Sequence, residues 1–131
     1  MAIKINSGRQ ETTVAIQDIE FGTGKDIDLQ GVYDAVEVPN DAIVTGGYLI
    51  VDTATTALTT VSIGDTGSPT RYLPATSVSA TGVTPLVVTG FTHPVTEKLK
   101  VTVAGANPVA VGKATIVLEY VRRGKAEYSQ G

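Results

Sequence analysis

The feature that most constrains this chain is a two-residue rhythm. Short runs of alternating apolar and polar side chains are cut, about every dozen residues, by Gly, Pro, Asn and Asp. Alternation sends successive side chains to opposite faces of a strand, so each run offers one face to a core and one to water. Leu99, Val101 and Val103 point one way while Lys98, Lys100 and Thr102 point the other. Over residues 113–122, Ala114, Ile116, Leu118 and Tyr120 share one face, and Val117, Glu119 and Val121 share the other. Ile27 and Leu29 alternate with Asp26, Asp28 and Gln30, and Val36 and Val38 flank Glu37 ahead of a Pro39-Asn40-Asp41 turn. Within residues 43–51, Gly46-Gly47 predicts a bulge or bend inside one strand rather than its end.

The remaining segments follow the same pattern. A Thr- and Val-rich run over residues 56–63 stops at the loop Gly64-Asp65-Thr66-Gly67-Ser68-Pro69, ahead of a short Arg71-Tyr72-Leu73 segment. Residues 77–83 are irregular or an edge, Leu86-Val87-Val88 reads as a buried stretch, and Pro94 limits the run around Phe91. Helical periodicity is nearly absent, and no segment could serve as a crossover helix. About eight antiparallel strands therefore predict an all-β jelly-roll or Greek-key β-sandwich. With 131 residues the chain is expected to form one domain, 1–131, with terminal arms at about 1–10 and 122–131.

Composition narrows the function. Apolar residues make up 42% and charged residues 18%, too apolar for a disordered chain, while aromatics are only 5%, so small and β-branched side chains must fill the core. The absence of Cys removes disulfides and thiolate ligands. Neither a signal peptide nor a long apolar span is legible, and the reading expects a protein made and folded in the cytosol, with no membrane partner. A net charge of −3 has the wrong sign for binding phosphate backbones, so no nucleic-acid partner is expected. The charge is also uneven. Residues 11–41 carry eight acids and one base, whereas residues 98–131 carry six bases and two acids. Such asymmetry is ordinary solvated surface or the mark of a protein whose two ends dock on oppositely charged neighbours.

Few motifs could carry chemistry. His93 is the single histidine, between Thr92 and Pro94, so no catalytic role is expected of it, and a chain with one His and no Cys does not suit zinc. Asp26, Asp28, Gln30, Asp34 and Glu37, with Gly31 at the sixth position, match the spacing of a calcium loop. The same letters also read as strand, Gly turn and strand with carboxylates on the wet side, because the positions between them are apolar and no helices flank them. Gly22-Thr23-Gly24-Lys25 lacks the spacing of a phosphate loop and reads as a turn. No Gly-x-Ser-x-Gly elbow is present to expose a nucleophile. No catalytic residue, cofactor or metal site is expected, and the protein is read as a non-enzyme. Arg122-Arg123 with Lys125 forms a basic cluster near Tyr128, a pairing of residue types that interfaces favour.

Several segments taken together resemble a known family. They are Gly31-Val32-Tyr33-Asp34, the run from Val38-Pro39-Asn40-Asp41 to Gly46-Gly47, Ser62-Ile63-Gly64-Asp65 with Arg71-Tyr72-Leu73, and Ile116-Val117-Leu118-Glu119-Tyr120-Val121 before the basic tail. These resemble the small head decoration, or cement, proteins of tailed bacteriophages, over roughly residues 31–131, through turn and strand signatures rather than chemistry. The resemblance implies a jelly roll or related sandwich that clamps neighbouring major capsid protein subunits on the outside of the expanded shell. It implies a homo-oligomer, a dimer in preference to a trimer, located on the virion exterior. Free chain ends are natural arms in such a scheme, so contacts are expected at Ile3, Lys4 and Ile5 and at Arg122, Arg123 and Tyr128. The competing reading is a tail-fibre or other receptor- or glycan-binding β module, against which stands the lack of any Trp on which a sugar could stack.

Overall fold

The computed structural model describes residues 12–105, 109 and 111–122. Eight strands follow in order: β1 (Thr13–Phe21), β2 (Gly31–Val38), β3 (Ala42–Thr53), β4 (Thr59–Gly64), β5 (Leu73–Ser77), β6 (Gly82–Pro85), β7 (Glu97–Gly105) and β8 (Gly112–Arg122). They form two four-stranded sheets, β1-β8-β3-β6 and β2-β7-β4-β5, with every pairing antiparallel. The first strand pairs with the last, the second with the seventh, the third with the sixth and the fourth with the fifth. That nesting is a long antiparallel ribbon rolled up on itself, which is the jelly roll.

The sheets pack through their alternate residues. Leu99, Val101 and Val103 of β7 and Ala114, Ile116 and Leu118 of β8 are all buried, as the two-residue rhythm requires. They meet Phe21, Val44, Leu49, Val61, Ile63 and Tyr72 in one continuous core. The predicted bend in β3 is present: its register against β8 slips between Val44 and Gly46. Gly47 (φ 142°) lies so close to β8 that a Cβ there would stand 2.2 Å from the Val117 carbonyl oxygen and 2.9 Å from Leu86 Cδ1. Only glycine fits that approach.

Three local expectations are corrected. The expected strand over residues 26–30 is an irregular, bent segment held by an isolated bridge from Ile27 to Phe21 and by Val109 N–H donating to the Asp28 carbonyl. The apolar alternation there serves to seat Ile27 in the core while Leu29 stays exposed. Residues 86–88 are not a buried stretch, since Leu86 alone faces inward and Val87 and Val88 are exposed. Residues 13–21, not singled out as a strand in the sequence, form β1 along β8 from Tyr120 to Gly112. The long connection from β6 to β7 carries the chain from one sheet to the other and is pinned on the way. Leu86 N–H donates to the Gly47 carbonyl, Val87 N–H to Tyr72, and His93 exchanges backbone hydrogen bonds with Asp41 and Ala42.

Candidate functional site

The densest polar chemistry lies inside the molecule, where the β4–β5 turn meets the β6–β7 connection. The turn is built by its own sequence: Asp65 Oδ1 accepts the Ser68 N–H at 2.8 Å, and Asp65 N–H donates to the Ser68 carbonyl at 2.9 Å. A Cβ at Gly64 would stand 2.2 Å from the Ser68 oxygen, so glycine must precede this aspartate. Asp65 Oδ2 then accepts Arg71 Nε–H at 2.5 Å, and the guanidinium lies over the Phe91 ring at 3.6 Å. Burial opposes ionisation of Asp65, but the Arg71 guanidinium and the Ser68 N–H outweigh it and hold the carboxyl below the usual carboxylate range.

Next to this pair, His93 is fully buried (0% exposed) and uses both ring nitrogens. Nε2 lies 2.5 Å from the Tyr72 hydroxyl, and Nδ1 bonds Glu97 Oε1. The tautomer with Nδ1–H donating to Glu97 and Nε2 accepting from Tyr72 satisfies all three side chains. The Phe91 ring packs edge-on against the imidazole with centroids 5.0 Å apart. Carboxylate, imidazole and hydroxyl stand in line as they do where a base activates a nucleophile. Here, however, Tyr72 is only 1% exposed, and burial pushes its phenol up to about 12. A hydroxyl so enclosed and so reluctant to ionise fits a bracing role between strands better than attack on a substrate.

Asp65, His93 and Glu97 also bring three possible ligand atoms within 4.8 Å of one another. Each of those side chains already has a partner, and the Arg71 cation occupies the Asp65 carboxylate. The group is accounted for as a hydrogen-bonded network without a metal. The calcium-like spacing is not assembled into a site. Asp26 accepts the Glu20 N–H at 3.0 Å, Asp34 pairs with Lys100 at 2.6 Å, and Glu37 faces Lys98 across the β2–β7 register. Gly22-Thr23-Gly24-Lys25 is a tight turn closed by Lys25 N–H to the Gly22 carbonyl. Of the residues expected to make contacts, Arg122 ends β8, opposite Ala42, with its guanidinium on Asn40. Ile3, Lys4, Ile5, Arg123 and Tyr128 lie outside the described residues.

The two outward sheet faces differ in kind. The β2-β7-β4-β5 face is mainly polar: Lys98, Lys100 and Thr102 point outward, with Val32, 61% exposed, beside Thr102, and Lys100 is tied to Asp34, whose carboxyl this bond holds below the usual range. The β1-β8-β3-β6 face carries an apolar row that crosses all four strands in register, Ile16 beside Val117, Val117 beside Tyr48 and Tyr48 beside Pro85. Ile16 is 65% exposed, Val83 60% and Tyr48 47%. The sequence signal for this face was Val14 and Ile16 standing at even positions while Ile19 and Phe21 stand at odd ones, so that β1 is apolar on both sides.

Fold and surfaces together define an eight-stranded jelly-roll domain with a locked polar network inside and an exposed apolar row across one sheet face. The chain matches no protein-family model and no curated protein. Its fold is similar to that of a chain in the capsid asymmetric unit of cyanophage Pam1, at 25% identity over 93% of this chain and 91% of that one, with a TM-score of 0.68. A chain of the Ralstonia phage GP4 capsid shares the fold at 18% identity over 95% and 93% of the two chains, TM-score 0.68. So does a chain of the acid-stable capsid of Helicobacter pylori bacteriophage KHP30, at 21% identity over 86% and 92%, TM-score 0.62.

Proposed function

We propose that this chain is a phage capsid decoration protein, which binds the outer surface of the head, clamps neighbouring major capsid subunits and stabilises the expanded shell. The observation that carries the reading is the end-to-end match to a chain of the Pam1 capsid: 93% of this chain aligns with 91% of that one, so the counterpart is a chain of about this size. A preformed β domain suits the task, because it can fill symmetric sites on a shell without a large ordering cost. The protein acts without catalysis: of its one aligned carboxylate, imidazole and hydroxyl, the imidazole and the hydroxyl are sealed in the core, while the Glu97 carboxylate is part-buried. It works on the virion exterior as a homo-oligomer, a dimer in preference to a trimer.

The test is to mix the purified chain with expanded shells that lack it, sediment them and count bound copies. Saturation at a copy number set by icosahedral symmetry supports the reading, and a chain left wholly in the supernatant overturns it.

A further inference from the structure

The asymmetry between the two sheet faces says which surface should meet the shell. An exposed apolar row spanning four strands is costly to leave in water, and rows of this kind mark interaction sites. Beside it, in the next register row, Thr115 of β8 sits between Asp18 of β1 and Asp52 of β3. The Thr115 hydroxyl lies 3.0 Å from Asp18 Oδ1 and 2.7 Å from Asp52 Oδ2. It has one proton and can donate to only one carboxylate at a time. Neither aspartate is in an ion pair among the described residues. The two carboxylates open on a hollow of about 370 Å³, with Lys113 the only base in its lining. Glu20, paired with Lys25, also lines the hollow, and Glu119 adds a further acid on the same face, next to Val14 in the register.

Taking the capsid reading as its basis, we propose that the outer face of the β1-β8-β3-β6 sheet is the surface that docks on the shell. In this arrangement a lysine or arginine of the major capsid subunit enters between Asp18 and Asp52, and aliphatic side chains of the same segment cover Ile16, Val117 and Tyr48. Charge decides the occupant. A cation relieves the repulsion of two carboxylates that share one hydroxyl, and a desolvated charge pair at the edge of an apolar row anchors a register. A second copy of this chain is the poorer fit, because stacking the face on itself would bring Asp18, Asp52 and Glu119 against their own kind. The opposite sheet lacks such a demand, since its Asp34 is already neutralised by Lys100.

The test uses the full chain and the shell-binding assay above. Replacing both aspartates (Asp18→Asn with Asp52→Asn) is expected to weaken shell binding tenfold or more and to flatten its dependence on salt. Tyr48→Ala is expected to weaken binding about tenfold with little change in salt dependence. Thr102→Lys, on the opposite sheet, is expected to leave binding unchanged, and thermal unfolding of each variant checks that it folds. If the wild-type chain binds shells while the Asn pair and Tyr48→Ala bind as tightly as it does, this face is not the docking surface and the capsid reading stands. If the wild-type chain does not bind shells, the capsid reading falls and the shell subunit is lost as the partner. The face itself is probed separately with a synthetic peptide of alternating lysine and leucine. Amide shifts clustering at residues 16, 48 and 117 support a basic, apolar occupant, and shifts confined to β2 and β7 overturn it. A dimer by sedimentation velocity that Tyr48→Ala converts to a monomer would make a second copy the occupant and also overturn the proposal.

Discussion

At the scale of single residues, His93 is the side chain with most at stake. It is wholly buried and holds Tyr72 on one nitrogen and Glu97 on the other, so its removal strands a buried phenol and leaves a part-buried carboxylate without its partner. His93→Ala should cost about 3 kcal/mol or more in urea unfolding, the sum of lost packing and unsatisfied polar groups. Tyr72→Phe should cost about 1 to 2 kcal/mol, and the double variant less than the two together, because both remove the same bond. The network also sets the pH limits. Tyr72 is raised from 10 to about 12 by burial, so the unfolded chain releases a proton that the folded one keeps. Stability should be complete below about pH 10 and fall as the pH rises towards 12, and Tyr72→Phe should lack that decline. Asp65 titrates the other way. Its folded carboxyl lies below the ordinary range, so its contribution is present above about pH 4 and is lost on further acidification, a limb that Asp65→Asn should flatten. None of this network was legible in the sequence beyond the Asp65 turn. His93 and Tyr72 lie in separate connections, and only the rolled topology brings their rings together.

At the scale of elements, the sequence was most readable where one face is dry and the other wet. β7 obeys that rule, β8 keeps its inner row Ala114, Ile116 and Leu118 although Val117 and Val121 stand outside, and both were legible, as was the bend of β3 at its paired glycines. β1 was not, because its apolar residues change faces halfway: Val14 and Ile16 point outward, Ile19 and Phe21 inward. A strand with an apolar patch on its outer side loses the clean alternation that identifies a strand. The parity break that hid β1 is thus the signature of the face assigned above to docking. Residues 26–30 erred in the opposite sense, since a turn that plants one isoleucine in the core can imitate a strand over five residues. The β3 bend makes a sharp prediction of its own. Gly47→Ala would force a Cβ to within 2.2 Å of a β8 carbonyl, whereas at adjacent Gly46 the same atom would meet only the mobile Glu119 carboxylate at 3.1 Å. Gly47→Ala should therefore destabilise by about 3 kcal/mol or more and Gly46→Ala by about 1, read as shifts in denaturation midpoint at constant m-value.

At the scale of the whole molecule, the jelly roll itself was within reach of the sequence, because strand number, turn spacing and the lack of helices leave few alternatives. Which surface the protein presents to a partner was not. That depends on which residues of distant strands fall into one register row, and Ile16, Val117, Tyr48 and Pro85 come from four strands scattered over the chain. Residue types that favour interfaces cluster at the chain ends, of which the described residues include only Arg122. The structure instead draws attention to a sheet face between them. A clamp that works through a rigid face rather than through arms needs little ordering on binding, so its attachment should be fast and governed by electrostatic steering at low salt. The most direct measurement is a cryo-EM reconstruction of expanded shells saturated with the purified chain. Jelly-roll density is expected on the outer surface at every symmetry-equivalent site, with the Ile16, Val117 and Tyr48 face turned towards the shell. Shells indistinguishable from undecorated ones after incubation with the chain would contradict it.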